Sequence, residues 1–208
     1  MATDTITRQR DLRRGIRLEY LTVGWNLLEG LVAVASGAVA GSIALVGFGI
    51  DSFIETSSGA VLLWRLRAEH RGADAARLEQ RALRLVGLGF LLLAAYVAGD
   101  AGLALWRKEA PARSLVGIVL AAVSLVVMPW LAHAKRKAAG ALASAALHAD
   151  SRQTSLCAYL SAILLGGLAL NATLGWWWAD PVAALAMTPI IVHEGLEALR
   201  GEHCHDCR

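Results

Sequence analysis

Only three of the 208 residues are cysteine, so no disulfide framework holds this chain. One of them, Cys157, lies in an apolar stretch, and the other two, Cys204 and Cys207, lie three apart in the tail. Charge is scarce as well. Charged residues make up 18% of the chain against 56% hydrophobic, a balance too apolar for a typical soluble domain. No low-complexity segment and no soluble-type repeat breaks the chain. No short apolar core with a small-residue cleavage site opens it, so the first apolar segment is expected to act as an uncleaved insertion signal. No nucleophile–base–orienter set is visible, which argues against an enzyme. The net charge is +3, but the basic residues fall in short clusters between apolar segments. That is the pattern of cytoplasmic loops and not of a nucleic-acid surface.

What the chain has is six apolar segments. They run from about 18 to 40, 42 to 64, 82 to 106, 114 to 134, 141 to 170 and 176 to 196. Each is long enough to cross a hydrocarbon core at roughly 20 residues per span. The expected fold is all-α: a polytopic membrane protein of six transmembrane helices. Residues 1–17 form an N-terminal segment, 18–198 the membrane domain and 199–208 a short Cys/His-rich tail. Arg8, Arg10, Arg13, Arg14 and Arg17 precede the first span, Arg65 to Arg84 follow the second, and Lys135, Arg136 and Lys137 follow the fourth. The opposite side carries only Arg107, Lys108 and Arg113. This asymmetry predicts that both termini face the cytoplasm and that the protein sits in the inner or plasma membrane. Gly37 to Gly41 is expected to turn the first two spans into an antiparallel hairpin, and Trp176 to Trp178 to mark an interface.

Asp51 and Glu55 stand four apart in the second span, on one helical face. A charge at mid-membrane costs about 2.5–3.5 kcal/mol on insertion scales, so such residues mark a pathway or a site. Paired oxygens there suit a divalent cation or a proton. The alternative is a pair neutralised by protonation or bonded to neighbouring helices. The fifth span offers a matching stripe of Asp150, Gln153 or Thr154, and Cys157. A thiolate in the set favours borderline metals such as zinc over magnesium or calcium. A lone cysteine in an apolar helix is otherwise a small packing residue. In the first span Asn26 and Glu29 either extend an ion or proton path or bond between helices. Asp180 precedes Pro181 and is expected to cap the sixth helix. The tail reads His203-Cys204-His205-Asp206-Cys207, where His203, Cys204, His205 and Cys207 form a possible metal site of C-x-x-C spacing. His193, Glu194 and Glu197 close the sixth span.

Two stretches carry a resemblance: G-S-I-A-L-V-G-F-G-I-D-S-F-I-E at Gly41 to Glu55, and G-W-W-W-A-D-P-V-A-A-L at Gly175 to Leu185. With them the chain resembles the membrane domain of the cation diffusion facilitator family over nearly all six spans. The resemblance implies proton-coupled export of zinc or a similar divalent metal, a homodimer, and a tetrahedral site with two ligands from span two and two from span five. The usual pattern on each helix is His or Asp, three residues, then Asp. Asp51 and Glu55 follow it with Glu in place of Asp. Span five departs: laying Ala149-Asp150 on the family's Ala-Asp pair puts Gln153 and Cys157 where His and Asp are expected. The chain is also read as ending before the family's C-terminal metal-sensing domain, with the Cys/His tail in its place.

The sequence reading is therefore a zinc-like divalent cation transporter, embedded in the bilayer, with protons as counter-ion and Asp51, Glu55 and Asp150 as ligands beside Cys157 and Gln153. In a low-dielectric interior a carboxyl group favours its neutral form and a metal favours the anion, so exchange of protons for metal is physically reasonable. Two other classes stay open. One is a membrane metal-binding sensor or partner protein that does not transport. The other is a proton-coupled exporter of small organic cations, which would need the acids but not the thiol.

Overall fold

The computed structural model describes residues 2–68, 75–108, 111–142 and 145–200. Six helices run through them: α1 (Ala2–Ala40), α2 (Ile43–Ala68), α3 (Ala75–Arg107), α4 (Leu115–Leu142), α5 (Ala145–Leu174) and α6 (Ala179–Arg200). No strand occurs among the described residues. The tail ligands His203, Cys204, His205 and Cys207 lie outside them.

The burial pattern is that of a bundle solvated by lipid. On α1 the inward stripe is Glu19, Thr22, Asn26, Glu29 and Ala33, all buried, while Leu21, Leu27, Leu28 and Leu31 point outward. Val119, Val123, Val126 and Trp130 line the outer face of α4 in the same way. A water-soluble domain places these classes the other way round. Four helices hold segments long and apolar enough to cross a membrane: Arg13–Ala40, Gly87–Arg107, Leu115–Leu142 and Asp150–Leu174. The other two, α2 and α6, carry more polar side chains along their length. For α2 this has a packing reason. It touches α1, α3, α5 and α6, so most of its surface meets protein and not lipid.

The α1–α2 hairpin forms where expected. Gly41 takes the left-handed conformation at φ 65°, and Ser42 N donates back to Gly37 O at 3.0 Å. Such a backbone is open to glycine without the Cβ penalty. The link between α4 and α5 is shorter than the basic run suggested. The helix does not end at Ala134 but continues through Lys135, Arg136 and Lys137 to Leu142. Lys135 is thus a helix residue, fully buried, and does not belong with the loop charges.

Asp180 also departs from expectation. It sits in the first turn of α6, yet its carboxylate caps α2. Ser42 Oγ donates to Asp180 Oδ1 at 2.5 Å, and Ile43 N donates to Oδ2 at 2.9 Å. Ser42 Oγ in turn accepts from Leu45 N at 3.2 Å. The orphan amides of a helix start accept any well-placed anion, whichever helix supplies it. Asp180→Ala is expected to lower stability by about 1–2 kcal/mol, as loss of a cap does, with Asp180→Asn keeping part of it. Unfolding of the detergent-solubilised protein measures the difference; equal midpoints for all three would refute the cap.

Candidate functional site

α2 and α5 meet in the middle of the bundle, and their polar stripes face each other. Asp51 and Glu55 lie one turn apart on α2, both buried. Opposite them on α5 is Cys157, 4% exposed. Its Sγ donates to Glu55 Oε2 at 2.7 Å and lies 3.7 Å from Asp51 Oδ2. Glu55 Oε1 is buried without a hydrogen-bond partner. Two carboxylates and one thiol therefore converge from two helices. They are not a finished cage, because no group of three such side chains among the described residues is already spaced to hold an ion. The 3.7 Å between Cys157 Sγ and Asp51 Oδ2 is close to what two donors to one tetrahedral metal span, whereas the 2.7 Å contact with Glu55 would have to open as a metal replaced the thiol proton.

The other predicted residues lie around this core. Gln153 is half-buried, one turn before Cys157 on α5. Asp150 is a further turn toward the helix start and is held elsewhere. Its Oδ2 accepts from Lys135 Nζ at 2.5 Å, so it does not join the groups that meet at Cys157. The sequence reading missed the partner because Lys135 stands beside Arg136 and Lys137 and looked like a loop charge. The spacing Met128, Leu131, Lys135, Ala138 was the available signal, since all four fall on the buried stripe of α4.

Glu29 lies on the α1 face next to α2 and α4. It accepts hydrogen bonds from Ser52 Oγ at 3.1 Å and from Ser124 Oγ. Asn26, one turn earlier and fully buried, leaves both amide atoms without partners. On α6, Glu194 keeps a buried, unpartnered Oε1, and its charge is felt at Asp51 and Glu55. His193 pairs outward with Glu197 at 3.2 Å. His148 and Arg152 are exposed.

A six-helix bundle with two buried acids meeting a thiol at its centre defines a class, and comparison with known proteins supplies the family. Residues 20–201 match the family described as the Cation efflux transmembrane domain. The chain belongs to the cation efflux family and is a multi-pass membrane protein. It is 26% identical over 187 residues to an uncharacterized transporter of Synechocystis sp., a match covering 86% of this chain and 60% of that relative.

Proposed function

We propose that this protein moves a divalent transition-metal cation of the zinc type across a cell membrane, out of the cytoplasm, in exchange for protons. The observation that carries the reading is the meeting of Cys157 with Glu55 and Asp51 across the α2–α5 contact. A thiol and two carboxylates offer one soft and several hard donors, a set that suits zinc better than magnesium or calcium. Each of the three binds a metal as its anion, so protons given up on binding can serve in exchange. Glu29 and Asn26 lie level with the Asp51–Glu55 pair across the α1–α2 contact and give protons a route. Gln153, one turn before Cys157, is the candidate for a fourth donor. The family membership supports transport over a sensing role, and the thiol favours a metal over an organic cation. As the family resemblance implies, the working unit is a homodimer with both termini in the cytoplasm.

The test is reconstitution in proteoliposomes, with zinc flux and internal pH followed together. A zinc gradient is expected to drive proton movement in the wild type, and Asp51→Ala to abolish both signals. If the wild type binds zinc but moves neither zinc nor protons, the sensor reading replaces this one. Proton-coupled flux of an organic cation, without metal, would replace it with the exporter reading.

A further inference from the structure

Lys135 is fully buried on α4, a helix whose buried stripe is otherwise formed mainly by small and apolar side chains. Three oxygens from two other helices surround its ammonium. Asp150 Oδ2 is 2.5 Å away, Glu19 Oε2 3.0 Å and Thr154 Oγ1 3.4 Å. Glu19 belongs to α1, while Asp150 and Thr154 belong to α5. The contact with Glu19 is one of charge alone, because neither Glu19 oxygen has a hydrogen-bond partner. Gly59 of α2 closes the remaining side, where a Cβ would come within 2.7 Å of Glu19 Oε1. Four helices thus build a pocket of two carboxyl groups around one cation.

Its position gives it meaning. Asp150 lies seven residues before Cys157, two turns or about 10 Å along α5. Gly59 lies one turn beyond Glu55 on the antiparallel α2. The pocket therefore sits directly on the terminal side of the Asp51–Glu55–Cys157 cluster. Thr154 lies one turn beyond Asp150 toward Cys157, and its Oγ1 accepts from Lys135 Nζ at 3.4 Å.

We propose that Glu19 and Asp150 form a second cation site on the terminal side of the cluster, with Lys135 as its tethered occupant, displaced by a divalent cation on its way to or from Cys157. This rests on the transport reading. One ammonium faces two carboxyl groups, and a divalent ion in the same place would balance both in their ionised form. The released ammonium has a four-carbon stem with which to reach the membrane face, as lysines near helix ends do. A buried ion pair with a structural role alone would have no reason to yield its lysine to a metal.

Zinc is the probe, and the full chain in detergent is the sample. At a zinc concentration too low to expose Lys135 in the wild type, equilibrium dialysis is expected to find one more zinc per chain in Lys135→Met than in wild type, since the tail and the central cluster are common to both. Adding Glu19→Gln is expected to remove the extra ion. A folded Lys135→Met that binds zinc no more tightly than wild type overturns the proposal. Should that variant fail to fold, the wild type supplies the answer. Labelling of Lys135 by a water-soluble amine-reactive ester, read by mass spectrometry, is expected to rise several-fold at saturating zinc and not to rise in Glu19→Gln. No rise in the wild type overturns the proposal. Failure of the transport reading would look different: wild-type vesicles would move no zinc, while the extra ion and the labelling would still be measurable.

Discussion

Cys157→Ser is expected to weaken zinc binding at the central cluster by about 100-fold, on the scale of losing a metal-directed contact or more. Binding of manganese or magnesium should change far less. The serine keeps nearly the size of the cysteine and can still donate to Glu55, so packing is preserved. What it lacks is the low-energy anion. A thiol gives up its proton to zinc near neutral pH, whereas a hydroxyl does not. The two carboxylates remain and continue to offer hard oxygen donors. The result is a change in preference between metals and not a uniform loss. Competition binding with zinc, cadmium and manganese on wild type and variant measures it. Equal losses for all three metals would assign Cys157 to packing, and no loss would remove it from the site.

Lys135→Met is expected to destabilise the protein by about 3–5 kcal/mol in the presence of a chelator, the range seen when one partner of a buried ion pair is removed. Methionine fills the volume, so the effect is electrostatic. Glu19 and Asp150 are left facing each other in a pocket closed by protein on every side. The combination Glu19→Gln, Lys135→Met and Asp150→Asn removes all three charges and should recover most of the loss. Denaturant unfolding in micelles compares the variants. A loss under about 1 kcal/mol for the single change would mean that the three groups do not act as an ionic unit.

The residues that met at the centre were legible because one helix fixes their spacing. Asp51 and Glu55 share a face by the four-residue rule, and Cys157 falls on the polar stripe of α5 by the same rule. The two stripes then need only one contact, between α2 and α5, to come together. Asp180 was not legible in this way. Its partners, Ser42 and Ile43, lie 138 and 137 residues away, and nothing local tells a carboxylate which helix start it will find. Lys135 failed for another reason. Charge counting along the chain treats each basic residue as solvated, and three in a row reinforce the error. Only the helical period, carried past Leu131, separates the buried lysine from the exposed Arg136 and Lys137. Glu19 extends the Thr22, Asn26 and Glu29 stripe by one turn and could have been read with it. All six helices were legible as apolar runs, four of them apolar enough to cross a membrane by that measure alone, because lipid demands long apolar runs and closed backbone hydrogen bonding.

The clamp of Asp180 on Ser42 and Ile43 fastens α2 at one end, and a fastened rod swings. From Ile43, Asp51 is eight residues along α2 and Glu55 twelve, or about 12 and 18 Å. A tilt of about 10° around the fastening carries Asp51 about 2 Å and Glu55 about 3 Å sideways, by simple proportion from that rise. Those displacements are the size of a metal–oxygen bond, about 2 Å. On the proposed transport reading, a small pivot of α2 about the Asp180 contact would be enough to tighten or loosen the Asp51–Glu55–Cys157 cluster.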